Sequence, residues 1–172
     1  MDTVQYIFLA IGFTIALVGL ARGYDKELGN SIILMITIAV FGFFEARYEE
    51  TLGQLANEYL GIANLPLFLS LVYSVVFIAI VFSSYNGVTL NYGGKPAKGL
   101  AGSLLSLGVG LFNGYLIAGT LWYYAAKFGY PLFGTGQPGS AEISQWLPPT
   151  IFPDPLYWVV PAAVLLILRV RG

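Results

Sequence analysis

Residues 100–126 read LAGSLLSLGVGLFNGYLIAGTLWYYAA, 27 consecutive positions without an Asp, Glu, Lys or Arg. A hydrocarbon core about 30 Å thick is crossed by about 20 apolar helical residues. The stretch therefore spans a bilayer, with length left over to tilt or to emerge beyond the interface. Its surroundings agree. Of the 172 residues, 57% are hydrophobic and only 10% charged, where soluble globular proteins carry about 45–50% and 25%. So few charges cannot solvate the outside of a globule of this size in water, and lipid must be part of the solvent. No stretch alternates like a barrel strand, so the expected class is helical.

Four further apolar stretches flank this one, at residues 4–21, 31–44, 65–82 and 156–168, and none contains an acidic or basic residue. The second reaches spanning length only as a helix over residues 28–46, with Glu45 at the headgroups. The fifth is short, contains Pro161 and follows Pro148, Pro149, Pro153 and Pro155. The expected architecture is an all-α integral membrane protein forming a single domain over residues 1–172. It is a bundle of about five transmembrane helices near 4–21, 28–46, 65–82, 100–126 and 156–168. With Asp2 and no basic residue ahead of it, and no small-x-small site before Arg22, the first span is expected to stay in the chain.

Charge gives the expected orientation. With five crossings, Arg22, Lys26, Lys95, Lys98, Arg169 and Arg171 fall on one side and only Arg47 and Lys127 on the other. The positive-inside rule places the six in the cytoplasm, the N-terminus outside and the C-terminus inside. Four crossings would leave a tie. Seven acids then face outward, and only Asp25 and Glu27 inward, in the first cytoplasmic connector. Residues 45–64 are too polar to span. They read as an amphipathic surface helix or as a continuation of the second span. Residues 83–99 carry the turn pairs Asn86-Gly87 and Gly93-Gly94, and are expected to form a cytoplasmic loop. Residues 129–155, rich in Gly and Pro with Trp146 and Phe152, are expected to lie along the outer headgroups.

Cysteine and histidine are both absent. Their absence removes thiol nucleophiles, imidazole bases, the usual zinc sites and histidine-held haem, and no nucleophile–base set suggests an enzyme. No cofactor is expected. A net charge of −1 gives no sign of a nucleic-acid partner. Gly134-Thr-Gly136-Gln-Pro-Gly139 matches G-x-G-x-x-G, but with no strand before it and no helix after it, the match does not indicate a nucleotide.

Three features single out residues. Gly102, Ser106, Gly110, Gly114 and Ala118 recur every four positions, a small-residue stripe along one helix face. In lipid such stripes let backbones approach and pack, and Gly12, Ala16, Gly19 and Gly23 offer a partner face. The packing reading is preferred to that of a smooth path for a solute. Asn113 is the most polar side chain deep in a span and must face the bundle or water, as an interhelical bond or as a polar point on a path. Glu45 and Glu49 stand one helical turn apart around Arg47, and could hold a hard cation or relay a proton. The reading of them as a solvated helix end is preferred.

At Arg22-Gly23-Tyr24-Asp25-Lys26-Glu27-Leu28, after an Asp-initiated first span, the chain resembles the colicin V production protein (CvpA) family. Its members carry an Arg-Gly-aromatic-x-basic-Glu segment leading into their second span. The glycine-spaced residues 99–122, with Gly102, Gly110, Gly114 and Gly119, are similar to the family's late span, and Trp146-Leu147-Pro148 to its tail. The fifth span is additional to the family's usual four. The resemblance marks Arg22, Gly23 and Glu27 as motif residues. It implies a non-enzymatic protein of the bacterial cytoplasmic (inner) membrane, assisting toxin export or envelope homeostasis as a transport-associated component. Its expected partners are the bilayer and further copies of itself. The competing expectation is an accessory subunit of a larger respiratory or photosynthetic membrane complex.

Overall fold

A computed structural model describes residues 3–86, 99–133 and 141–171, and all the regular structure among them is helical. The elements are α1 (Thr3–Arg22), α2 (Tyr24–Leu60), α3 (Leu65–Asn86), α4 (Gly99–Lys127), two short helices α5 (Ala141–Ser144) and α6 (Pro148–Ile151), and α7 (Leu156–Arg171). Four of these, α1 to α4, are long and apolar enough to cross a membrane. The protein is thus an all-α, multi-pass membrane protein by length and composition. At 1.5 Å per residue the 16-residue α7 is about 24 Å long, short of a full hydrocarbon core.

The joints between helices follow from local chemistry. Gly23 alone separates α1 from α2, at φ +90, a conformation that a Cβ strongly disfavours. α2 does not stop at the end of its apolar run. It continues through Glu45, Arg47, Glu49 and Glu50 for 37 residues, about 55 Å, ending at left-handed Gly61. Residues 45–60 are therefore the continuation of the second span and not a separate surface helix. Asn64 then opens α3 by accepting the Leu67 amide at 3.2 Å. After α4, Gly129 and Tyr130 both take positive φ and the Tyr130 amide returns to the Ala125 carbonyl at 2.7 Å.

The central helix is α4. α1 lies along one side of it, α2 and α3 pack on other sides, and α7 lies on α2. Phe41, Tyr73, Phe77, Tyr124 and Trp158 belong to the main core. Phe8 and Trp122 stack at 5.1 Å in a second cluster between α1 and α4. Only 22% of the α3 span is buried, and Val75, Ile78 and Phe82 stand outward. In water such a face would aggregate; in a bilayer it is solvated by acyl chains.

The loop expected over residues 83–99 loses its first residues to α3, which runs to Asn86. The rest of its turn signals, at residues 87–94, lie outside the described residues. The G-x-G-x-x-G match at residues 134–139 lies outside them as well. A helix does follow it, but α5 has only four residues.

Candidate functional site: a buried ionic network joining four helices

At the end of the bundle where α1 finishes, α2 starts and α3 finishes, polar side chains converge on Glu27. The residue was expected in a solvated connector, yet it is fully buried. The reason is that α2 begins at Tyr24, which carries Glu27 into the bundle on the same helix face as Asn30 and Ser31, three and four positions on. Both of these are buried too.

The Glu27 carboxylate is satisfied from three helices. Arg22, the last residue of α1, donates to Oε1 at 2.9 Å. Tyr85 of α3 donates its hydroxyl to Oε2 at 3.0 Å, and Asn113 of α4 donates to the same oxygen at 2.8 Å. The Asn113 amide nitrogen also donates to the Glu27 backbone carbonyl at 2.9 Å, and its oxygen accepts from Ser31 at 2.6 Å. The guanidinium of Arg22 lies 4.5 Å from the centre of the Tyr85 ring, a cation–π contact. With the Asn30 amide turned so that its oxygen faces Arg22, it accepts from the guanidinium and donates to the Ser84 carbonyl at 3.2 Å.

Charge and hydrogen bonding close together here. One cation and one anion cancel, and the carboxylate has three protein donors. Such completeness is what makes a charge tolerable at membrane depth. Asn113 thus serves as an interhelical bond between α4 and α2. Tyr85, Asn30, Ser31 and Ser84 were not singled out in the sequence.

The small-residue stripe is the second feature. Gly102, Ser106, Gly110, Gly114 and Ala118 are all buried. A Cβ placed on Gly114 would strike the Gly12 carbonyl oxygen, and one on Gly110 would lie 2.8 Å from the Ala16 carbonyl oxygen. A Cβ on Gly19 would come within 2.6 Å of the Gly110 Cα and 3.3 Å of the Glu27 side chain. The tight α1–α4 seam therefore abuts the ionic network. Ser106 bonds within its own helix, to the Gly102 carbonyl at 2.8 Å. A Cβ on Gly23 would meet nothing within 4 Å, so this glycine acts as the joint and is not part of the seam.

The opposite end of the bundle holds Glu45 and Glu49. Lys127, at the end of α4, pairs with Glu45 at 2.5 Å and Glu49 at 2.7 Å, and Tyr123 donates to Glu45 at 2.7 Å. Arg47, between them in sequence, is exposed. The two carboxylates are thus bound to α4 and do not form a freely solvated helix end. Among the described residues no three His, Cys, Asp or Glu side chains come close enough to hold a metal ion.

Comparison of the chain with protein-family models, with curated proteins and with solved structures returns no match.

Proposed function

We propose that the chain is a small CvpA-like protein of the bacterial inner membrane, with its N-terminus outside, its C-terminus cytoplasmic and α7 as a fifth crossing. In this reading it is non-enzymatic and assists export or envelope homeostasis as an oligomeric, transport-associated component. The observation that carries the reading is the position of the motif residues. Arg22, Gly23 and Glu27, on which the resemblance rests, form the joint and the ion pair of a network tying four helices together. A motif used in this way serves the conformation of a membrane bundle rather than a reaction.

The test is purification in mild detergent with native mass measurement, alongside complementation of a deletion strain scored for peptide-toxin export and envelope sensitivity. A homo-oligomer, with export restored by the parent chain and not by a membrane-inserted Glu27→Gln variant, supports the proposal. Stoichiometric co-purification with cofactor-bearing subunits would overturn it in favour of the accessory-subunit reading, for which the uncovered face of α3 offers a docking surface.

A further inference from the structure

At the Glu45 end a cavity of about 150 Å³ lies between α2, the last turns of α4 and the segment from α6 into α7. We propose that it binds a quaternary ammonium group. Tyr123, Tyr124, Phe152 and Trp158 are among the residues that line it, and Glu45 is the charged one among them. Phe152 and Trp158 meet edge to face at 5.4 Å, and Tyr123 and Tyr124 do so at 5.1 Å. Clustered aromatic side chains can offer ring faces that attract cations through the quadrupole, the device by which methylated ammonium groups are recognised. A cavity of about this volume holds a benzene-sized guest, and tetramethylammonium is of that size.

The hydrogen-bonding inventory selects this cation over other ligands. The Tyr123 hydroxyl is committed to Glu45, and the Trp158 indole N–H to the Phe152 carbonyl at 2.9 Å. Pro149, Pro153 and Pro155 line the same space and bring no N–H. An anion would therefore meet few free donors. A hard metal ion needs about six or more oxygen ligands, and among the described residues Glu45 is the only carboxylate on the wall. A methylated ammonium asks for no hydrogen bond at all. The charge also fits. Lys127 answers two carboxylates, Glu45 and Glu49, which leaves one negative charge for an entering cation, and Arg47 projects from another face of α2.

The same group could arrive as a free solute or as the headgroup of a choline lipid, and one experiment separates them. The full chain in a maltoside detergent is titrated with tetramethylammonium chloride, against sodium chloride, while tryptophan fluorescence is followed. The titration is repeated in nanodiscs of phosphatidylglycerol with and without phosphatidylcholine. The expected result is a saturable change specific to tetramethylammonium. Glu45→Gln, which keeps the shape and leaves Lys127 its Glu49 partner, should weaken it about tenfold or more, and Phe152→Leu should weaken it as well. Competition by phosphatidylcholine assigns the site to a lipid headgroup, and no competition assigns it to a free cation; both support the proposal. A response no different from sodium chloride, or unaltered binding by a folded Glu45→Gln protein, overturns it.

Discussion

Glu27 is the residue on which the inner polar network depends, and its chemistry makes sharp demands. Glu27→Leu leaves Arg22 without its counter-charge among packed helices. Loss of one member of a fully buried pair typically costs about 3–5 kcal/mol; the Arg22 side chain keeps 19% exposure, so unfolding in mixed micelles should show a loss toward the lower end of that range. Removing both charges, as Arg22→Met with Glu27→Leu, should recover much of it, because no uncompensated ion remains. Asn113→Leu removes the amide that donates to both the carboxylate and the backbone carbonyl of Glu27, while the Ser31 hydroxyl keeps the Glu27 carbonyl as its acceptor; about 1–3 kcal/mol is expected by the same measurement. Of these residues, Asn113 was legible in the sequence because an amide amid apolar neighbours has no cheap alternative to pairing. Glu27 was marked only as a motif residue and its burial was not legible, since Asp25 and Lys26 beside it resemble a solvated connector until the one-residue joint at Gly23 is known. Tyr85 gave no local signal: its partner is 58 positions away.

Among the elements, the α1–α4 seam follows directly from spacing. Small residues every four positions on α4 meet Gly12, Ala16 and Gly19 of α1, where backbone approaches backbone. Gly114→Leu would drive a side chain into the Gly12 carbonyl, and overpacking of this kind costs about 1–3 kcal/mol. Leu111→Val, at a half-exposed position, should be tolerated because lipid adapts to either shape. Detergent stability and particle size, measured for both variants beside the parent, check the contrast; equal behaviour would show that the seam does not hold the helices together. The length of α2 was less legible. Hydropathy falls after Phe44, although Glu, Ala, Leu and Gln continue a good helical sequence, and the pairing of Glu45 and Glu49 with Lys127 on α4 keeps that stretch against the bundle. Hydropathy records the solvent around a helix, not where the helix stops.

For the whole molecule, the two polar ends give the bundle a direction. Arg22, Glu27 and Tyr85 gather where α1 ends, α2 begins and α3 ends, while Glu45, Glu49 and Lys127 gather at the other pole. The alternating run of α1 to α4 is what brings these residues together, and in the five-crossing topology we propose, the six-to-two division of basic residues would put the Arg22 pole in the cytoplasm. Composition pointed to a membrane protein, because 10% charge cannot clothe a water-soluble surface, and the lack of strand-like alternation pointed to helices. The number of crossings is harder to read, since α7 is short and owes its place to packing on α2. The most direct test is labelling of single cysteines, at Gly87 between α3 and α4 and at Gly136 between α4 and α7, with a membrane-impermeant maleimide in intact and in opened cells. The account predicts that the Gly136 position labels in intact cells and the Gly87 position only after opening. Labelling of both from the same side would contradict it.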